Sequence, residues 1–451
     1  MTRRAAAIAL ILVLALALPA HADESENNVT SWIVPPATRH RSLWGMLDFD
    51  RTQGSAPLWQ RAHSLTGNWG GWRDRITDDY GVALVGSYTS ECAGNPVGGR
   101  SQGVTYTHNI GIALLADLDE LLGLDETYFV VSASNRAGNS LSAEDIGNIY
   151  PVQQIYGGET TRLVQLAVGK RLLDGDLDIV AGRIDGLDDF IASPLYCNAQ
   201  NLAFCGNPLG IPSDVNIPSY PNTLWGARAR WSPAPLWYLM GGVYNAYAGF
   251  RANKYHGVNF SIPHDSGVVG IMETGVMPDE AGLVPRELEG HVKLGGYYDT
   301  EPLTDFQSGA KERGTWGIYF AVDQKVYAEA DPAGAQGLTL FAAYHHAPPD
   351  VNAQTNFFDF GAVYQGLIPG RDTDILGFYL AYGWLSGDLR ASQVAAGQPG
   401  QEHETVLELN YRWNLLPWFY LQPDIQGILN PGAAGQIDDA LVLAVQFGFP
   451  F

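Results

Sequence analysis

Beyond its first residues, this chain of 451 residues has no apolar run long enough to cross a bilayer as a helix, and its mean hydropathy is only -0.07. A spanning helix needs about 20 consecutive, predominantly apolar residues. The longest apolar stretch, residues 5–18, is shorter than that. A helical membrane protein is therefore excluded, and two classes remain: a water-soluble protein or a membrane β-barrel.

Basic residues are also scarce. The chain has 26 Lys and Arg against 48 Asp and Glu, a net charge of -22. Because nucleic-acid binding requires a basic surface, we expect no nucleic-acid partner. Charged residues make up 16% of the chain, below the usual ~25%, whereas glycine (52 residues) and aromatic residues (11%) are abundant. This composition favours many short strands joined by turns.

Cysteine is the third scarcity, with three residues in total. Cys197 and Cys205 lie in the turn-rich segment SPLYCNAQNLAFCGNP, and an oxidising compartment favours a disulfide between them, leaving Cys92 free. No Cys or His spacing is typical of zinc, and the adjacent His345 and His346 would point to opposite faces of a strand. We therefore predict neither a metal site nor a cofactor.

The N-terminus has the pattern of a secretory signal peptide. Arg3 and Arg4 precede the apolar stretch, and Ala-His-Ala at residues 20–22 fits the small-x-small cleavage pattern. We therefore assign residues 1–22 to a signal peptide and residues 23–81 to an N-terminal extension. In this extension Trp72, Ile76 and Tyr80 share one helical face, which predicts one short helix. Residues 82–451 form the remaining domain.

From residue 82 onward, segments of about ten residues with alternating polarity recur between clusters of Gly, Asn, Asp and Pro. Sixteen such segments are predicted as strands: 82–90, 104–117, 127–136, 164–172, 177–184, 224–231, 238–245, 268–275, 291–299, 316–326, 338–346, 357–364, 374–386, 404–413, 419–428 and 440–451.

The alternation indicates that each strand has an apolar face and a polar face. In TLWGARARW, Trp225 and Trp231 share one face while Arg228 and Arg230 share the other. In LVQLAVGKRL, Val164, Leu166 and Val168 are expected on the apolar face. Strands of transmembrane barrels typically have an apolar face with Trp or Tyr near its ends, and a polar face on the other side.

The chain ends with LVLAVQFGFPF, in which every odd position from Leu441 to Phe451 is large and apolar. In water, such a strand would invite aggregation at an open edge. In a barrel, its apolar face lies against lipid and its edge pairs with the first strand. We therefore predict an all-β fold: a transmembrane antiparallel β-barrel of about 16 strands, preceded by a short N-terminal extension with a helix, in the bacterial outer membrane.

Several long motifs resemble the carbohydrate-selective porin family of the OprB type. They are LTGNWGGWRDRITDDYGVAL, GVYNAY, QGLIPGRDTD, LELNYRWNLLPWFYLQPDIQGILNPG and the region 152–208. The resemblance runs from about residue 65 to residue 451. The resemblance implies a sixteen-stranded outer-membrane channel, not an enzyme, that passes sugars such as glucose by facilitated diffusion. It also implies inward-folded loops and a constriction with arginines, acidic partners and aromatic rings.

Planar guanidinium groups suit sugar hydroxyls better than the compact, strongly hydrated lysine ammonium does. We predict Arg171 and four other arginines on the lumen faces of their strands, and Glu159, Arg162 and Asp185 in loops. The full set of predicted pore-lining or sugar-binding residues is Arg136, Glu159, Arg162, Arg171, Arg183, Asp185, Arg228 and Arg230. The alternative is that these side chains only pair with one another and solvate the wall.

Other functions remain open at this stage. A general diffusion porin for small polar solutes would have the same strand pattern. An outer-membrane barrel enzyme would need Ser, His and Asn or Asp together on one outer face, and no strand pair offers that arrangement. A secreted sugar-binding sandwich would not have lipid-type apolar faces. The expected partners are a sugar and outer-membrane lipid, and the chain could be a monomer or a homotrimer.

Overall fold

The computed structural model describes residues 64–205, 210–217, 219–263, 266–330 and 336–451. Their strands form one closed ring, in which each strand pairs antiparallel with its sequence neighbours and the last strand pairs with the first. The predicted sixteen-stranded barrel is confirmed. The predicted signal peptide and the extension up to residue 63 lie outside the described residues.

The strands are β1 (Val82–Val97), β2 (Val104–Asp117), β3 (Thr127–Gly138), β4 (Thr160–Leu172), β5 (Leu177–Ile184), β6 (Leu224–Ala234), β7 (Trp237–Ala246), β8 (Gly267–Val276), β9 (Gly290–Thr304), β10 (Lys311–Ala328), β11 (Gly337–His346), β12 (Gln354–Gln365), β13 (Ile375–Leu385), β14 (His403–Leu416), β15 (Phe419–Leu429) and β16 (Ala440–Pro450).

Helices are few and short. The α-helices are α1 (Trp72–Tyr80), α2 (Leu118–Leu122), α3 (Leu202–Cys205), α4 (Gly210–Asp214) and α5 (Gly387–Ala395), and one π-helical turn covers Ser142–Ile146. Brief 3-10 turns occur at Trp69–Gly71, Leu173–Gly175, Tyr196–Asn198, Ala248–Arg251, Asn253–Tyr255 and Pro431–Ala433. Helix α1 lies in the segment where the sequence predicts a helix. None of the helices within the described ranges has the length and apolar character needed to span a membrane.

The two ends of the barrel differ in their connections. At one end the strands are joined by long segments such as 139–159, 185–223 and 247–266, and at the other by tight turns such as 235–236 and 417–418. Outer-membrane barrels have short periplasmic turns and longer external loops. The end with long connections is therefore the outer end, and the end that carries Phe451 is the periplasmic end.

Side chains alternate between lumen and lipid as the sequence predicts. On β16, Ala440 and Val442 are buried inside the ring, whereas Leu441 and Leu443 are exposed on the outside. Aromatic residues on the outer surface gather near both ends of the strands. Near the outer end they include Trp316, Tyr344 and Trp384, and near the periplasmic end Trp231, Trp237 and Trp413.

A repeated pairing of an aromatic ring with a glycine shapes the lumen surface. In each pair the two residues are direct cross-strand partners, and a Cβ placed on the glycine would lie only 2.0–2.8 Å from the ring. Glycine on one strand thus leaves room for a ring from its neighbour to lie against the backbone. The pairs are Tyr128–Gly169, Tyr244–Gly226, Tyr238–Gly275, Tyr319–Gly295, Tyr297–Gly317, Phe341–Gly361 and Tyr420–Gly448.

The seam between β1 and β16 is fastened by the last residue of the chain. The backbone N–H of Phe451 donates to the Gly86 carbonyl at 2.8 Å, and Arg73 of α1 donates to a terminal oxygen of Phe451 at 2.8 Å. Arg73 also donates to the Leu84 carbonyl at 3.3 Å. A Cβ on Gly86 would lie 2.4 Å from the Phe451 ring, so this glycine provides the space for the ring.

Deleting Phe451 should lower the amount of assembled barrel several-fold, because the closing hydrogen bonds and the ring contact over Gly86 are lost. Each lost hydrogen bond is worth about 1 kcal/mol, or more where a charged group takes part. Channels that do assemble should keep their conductance. The measurement is the heat-modifiable band in unboiled gel samples, followed by single-channel recording.

Val445→Ala is the matched control, since it shortens another lipid-facing side chain of β16 without touching these contacts. Equal assembly of the deletion variant and this control at low expression would contradict the role assigned to Phe451.

Candidate functional site

The connection between β5 and β6, residues 185–223, folds into the barrel, and we call it the inserted loop. Its aromatic side chains Phe190, Tyr196 and Phe204 are at most 1% exposed. The loop follows the inner wall from β8, where the Ile191 N–H donates to a carboxylate, as far as β14 and β15. The inserted loop therefore occupies the part of the lumen beside β8, β14 and β15.

The far end of the inserted loop docks on polar side chains of β14 and β15. The backbone N–H groups of Gln200 and Asn201 donate to the two carboxylate oxygens of Glu408 at 2.7 and 2.9 Å. Asn410 in turn donates to the Asn198 carbonyl at 2.8 Å. All five residues are buried, so these bonds replace the water that the loop backbone loses on entering the barrel.

A disulfide joins Cys197 and Cys205 and brackets this docked segment. Arg412 of β14 donates to the Cys197 carbonyl at 3.4 Å, so the disulfide lies directly against the wall contact. Cys92, the free cysteine, is on β1 and is half-buried.

Two further carboxylates on the wall hold loops in the same way. Glu404 of β14 accepts the N–H groups of Ile149 and Tyr150, at 2.8 and 3.0 Å, from the connection 139–159, which we call the cover loop. Glu273 of β8 accepts the N–H of Ile191 at 2.6 Å. Sequence reasoning missed this role of Glu273, Glu404 and Glu408. Their position on the polar face of a strand was the available signal.

Glu273 also accepts from two lumen tyrosines. The hydroxyl groups of Tyr238 and Tyr319 donate to it at 2.6 and 3.0 Å. The carboxylate therefore fixes the inserted loop and the rings beside the channel in a single network.

Arginines line the opposite part of the barrel, and we call Arg136, Arg162, Arg171, Arg228 and Arg230 on β3, β4 and β6 the arginine wall. The register places Arg171, Asp178 and Arg230 in one cross-strand row. Arg228 forms ion pairs with Asp178 and, at 3.1 Å, with Asp189 of the inserted loop. Among the described residues, Arg228 is the arginine of this wall that forms ion pairs with carboxylates.

Three members of the arginine wall lie over aromatic rings. The guanidinium carbon of Arg136 is 5.1 Å from the ring centre of Tyr220 in the inserted loop. The corresponding distances are 5.7 Å for Arg171 over Tyr128 and 4.2 Å for Arg230 over Tyr238. Stacking of this kind holds the plane of the guanidinium while leaving its N–H edge free to donate.

The wall arginines divide into two groups by exposure. Arg136, Arg162 and Arg228 are 6%, 4% and 2% exposed, and each bonds to a loop. Arg171 and Arg230 are half-buried. Among the described residues, neither the Arg171 nor the Arg230 guanidinium donates a hydrogen bond to a protein acceptor. Their guanidinium groups are therefore the more accessible ones of the arginine wall.

Tyr220 brings the inserted loop close to the wall. The Asn109 side-chain amide of β2 lies 3.4 Å from the Tyr220 hydroxyl. A Cβ on Gly111 would lie 3.2 Å from the Ser87 hydroxyl and 3.6 Å from that of Tyr220. Tyr220, Asn109 and Arg136 therefore lie together, closer to the outer end of the barrel than Arg171 and Arg230.

Two predictions for β4 are wrong. Arg162 is not in a loop, because β4 begins at Thr160, four residues before the predicted start. Val164 is 0% exposed on the lumen side, not on the lipid face. The cause is a β-bulge opposite Ser132, which reverses the alternation within the strand.

The predicted lumen position of Arg183 is also wrong. Its cross-strand partner is Trp225, so both side chains lie on the outward face of the barrel. Arg183 is only 4% exposed because the connection 247–266 covers it: the guanidinium donates to the Asn259 carbonyl at 2.8 Å and lies 5.7 Å from the Phe260 ring. A charge is tolerated there because a loop, rather than lipid, covers this end of β5.

The predicted acidic residues occupy different environments. Glu159 is in a loop and is exposed. Asp185 is 2% exposed and accepts the Leu187 N–H at 3.1 Å. Burial raises the pKa of Asp185 well above its usual range, and the neighbouring Asp188 carboxyl acts in the same direction. Burial also raises the pKa of Asp189, against the opposing pull of the Arg228 guanidinium.

The histidine pair separates as expected for adjacent strand residues. His345 lies inside the barrel, 2.9 Å from the Tyr297 hydroxyl, whereas His346 bonds to Asn356 on the outside. Among the described residues, no group of three or more His, Cys, Asp or Glu is arranged to hold a metal ion.

Comparison with known proteins gives the same picture. Porin B of Pseudomonas aeruginosa is 29% identical over 415 residues, which cover 85% of this chain and 90% of that protein. The putative porin QuiX of Acinetobacter baylyi is 26% identical over 417 residues, covering 86% of this chain and 93% of that protein.

Among solved structures, the high-pH structure of Pseudomonas putida OprB superposes with a TM-score of 0.80 at 26% identity, covering 86% of this chain and 98% of that one. Residues 101–451 match the carbohydrate-selective porin family, OprB. Together with the closed barrel, the inserted loops and the arginine wall, this match shows that the chain belongs to the OprB family of carbohydrate-selective porins of the bacterial outer membrane.

Proposed function

We propose that this porin passes glucose-sized monosaccharides by facilitated diffusion, and that Arg171 and Arg230 are the residues that contact the sugar in transit. The observation that carries the proposal is that both guanidinium groups are half-buried, stacked on tyrosine rings and without a protein acceptor among the described residues. The buried arginines of the wall instead hold loops in place.

Sugar chemistry fits this arrangement. A guanidinium can donate to two hydroxyl groups at once, and an aromatic ring can contact the C–H face of a pyranose. Conduction needs a site that is favourable enough to enter and weak enough to leave. An arginine held on a ring, in water, supplies such a brief contact, whereas Arg228 is occupied by Asp178 and Asp189.

Narrowing by loops supports a selective channel over a general one. A sixteen-stranded ring leaves an aqueous lumen wider than a monosaccharide unless something fills it. Here the inserted loop and the cover loop occupy the lumen and are bonded to Glu273, Glu404 and Glu408. A general diffusion porin for small polar solutes remains the alternative outcome of the tests below.

Replacing Arg230 by Gln should weaken the block of ion current by glucose a few-fold, because one charged hydrogen bond is worth about 1.5–3 kcal/mol at most and is partly replaced by water. The same change should raise the preference for cations, since positive charge is removed from the wall. Planar-bilayer recordings with glucose as blocker, together with reversal potentials in a salt gradient, measure both effects.

The matched control is Arg286→Gln, which removes the same charge from a residue on the periplasmic connection 277–289 whose side chain is 82% exposed. If Arg230→Gln and Arg286→Gln give the same glucose block and the same selectivity, the wall is inert and general diffusion is favoured.

Replacing Glu408 by Ala should release the far end of the inserted loop, because the N–H groups of Gln200 and Asn201 lose their acceptor inside the barrel. Each unsatisfied buried donor costs about 1–3 kcal/mol. We expect a larger and noisier single-channel conductance and weaker discrimination between glucose and a disaccharide in liposome-swelling assays.

Glu402→Ala serves as the control, since that carboxylate is half exposed on the connection 386–402 and, among the described residues, its ion-pair partner is the exposed Arg390. An unchanged conductance in Glu408→Ala would show that the loop stays in place without this contact.

A further inference from the structure

Part of the connection 247–266 lies on the outside of the barrel, and we call its residues 254–262 the outer strap. Because β5 has only eight residues, β4 extends beyond it toward the outer end. The strap takes the place of the missing strand there, since the Leu163 N–H donates to the His256 carbonyl at 2.9 Å. The strap is therefore fastened to the wall where the ladder of β5 stops.

The outward face of the barrel supplies donors to the strap backbone. The Arg183 guanidinium donates to the Asn259 carbonyl at 2.8 Å, and the Trp225 indole N–H donates to the Phe260 carbonyl at 3.2 Å. The Trp225 and Phe260 rings also lie in contact, with their centres 5.8 Å apart. Lipid tolerates a backbone outside helices and sheets only where protein satisfies its polar groups. These bonds are what a segment that faces lipid requires.

The side of the strap that faces away from the barrel is apolar. Val258, Phe260 and Ile262 alternate along it and are 56%, 46% and 61% exposed. The neighbouring strands β7 and β8 expose Val243 and Val268 on their outward faces. The apolar side chains of the strap therefore continue the lipid-facing surface of the barrel, and acyl chains are the partner that covers this surface.

The beginning of the strap is basic. Lys254 and His256 are exposed, and the Lys254 ammonium lies 4.8 Å from the centre of the Tyr255 ring. Residues 247–263 include Arg251 and Lys254 but neither Asp nor Glu, in a chain that has 48 acidic and 26 basic residues. The strap is therefore a local region of positive charge on a strongly acidic protein, and it favours an anionic partner.

The basic part of the strap lies farther out than the apolar part. Asn253 lies beside Gly158, which precedes β4, and the His256 ring nitrogen Nδ1 lies 2.8 Å from the Thr161 carbonyl. The apolar part instead crosses β5 and β6 at Arg183 and Trp225, and Arg183 pairs with Leu166, five residues farther down β4 than Thr161. This order matches a phosphorylated lipid of the outer leaflet, whose headgroup lies outside its acyl chains.

We propose that the outer strap is a docking surface for an anionic, phosphorylated lipid of the outer leaflet. The phosphate contacts Lys254 and His256, and an acyl chain lies along Val258, Phe260 and Ile262. The bound lipid holds the strap on the wall and keeps Arg183 covered. This docking surface does not depend on the identity of the sugar that the channel passes.

Quenching of a fluorophore on the strap by brominated lipids tests the proposal. In a Cys92→Ser background, a bimane label is attached to Ile262→Cys on the strap or to Ile425→Cys, a lipid-facing position on β15. The full mature chain is reconstituted into phosphatidylcholine vesicles that contain brominated phosphatidylglycerol or brominated phosphatidylcholine. The measurement is the ratio of quenching by the anionic lipid to quenching by the zwitterionic lipid. Migration of unboiled gel samples checks that each variant has assembled.

With about 10 mol% of brominated lipid, we expect a ratio of about three at Ile262→Cys and about one at Ile425→Cys, because one lysine near the membrane surface enriches anionic lipid about fivefold. Lys254→Gln should lower the ratio on the strap to that at Ile425→Cys. Lys311→Gln is the matched control, since it removes the same charge from an exposed residue at the outer end of β10 and should leave the ratio unchanged.

Three results would overturn the proposal. A label at Ile262→Cys that neither lipid quenches, beside normal quenching at Ile425→Cys, would show that the strap lies clear of the membrane. Equal ratios at the two positions would show contact with lipid in general and no docking of an anionic one. Loss of quenching together with cross-linking of Ile262→Cys between two chains by a short bis-maleimide would show that a second copy of the chain covers the strap.

Discussion

The channel depends on backbone N–H groups of loops being accepted by carboxylates on the barrel wall. A loop that enters the lumen loses water from its main chain, and each unpaired buried donor would cost about 1–3 kcal/mol. Glu273, Glu404 and Glu408 supply acceptors at the places where the loops touch the wall. Without them, the lumen of a sixteen-stranded barrel would be wide and unselective, and the arginine wall would face bulk water across a gap larger than a sugar.

This requirement explains the positions of the carboxylates that hold the loops. The carboxylates that hold loops lie on β8 and β14, while the arginine wall lies on β3, β4 and β6. The net charge of -22 is therefore a poor guide to the channel, because the acidic residues of the far wall are covered by the loops that they bind. Under the proposed function, a solute contacts the other side of the lumen, where Arg171 and Arg230 lie over their tyrosine rings.

The sequence was sufficient for the barrel and its strand count, because alternating polarity recurs in sixteen segments, most of them with aromatic residues, and closure is the one arrangement that leaves no unpaired edge in lipid. It was insufficient where the two-residue alternation within a strand is interrupted, and where a loop replaces lipid as the surroundings of a side chain. The bulge in β4 reversed the face of Val164, and a covering loop allowed Arg183 to face outward. The inserted loop's contacts, such as that of Gln200 with Glu408, join residues far apart in the chain, so no local sequence pattern predicts them.

The glycines that pair with aromatic rings affect both the packing of the barrel wall and the width of the lumen. A tyrosine on one strand lies against a glycine of the next, as with Tyr128 over Gly169 and Tyr238 over Gly275, so the ring covers the backbone instead of projecting into the lumen. These two rings are also the supports of Arg171 and Arg230. A side chain at either glycine would push the ring, and the guanidinium on it, toward the channel axis. The pairing of glycine and aromatic residues on neighbouring strands thus sets how far Arg171 and Arg230 reach into the lumen. Under the proposed function, these paired glycines therefore contribute to the channel's selectivity as well as to its fold.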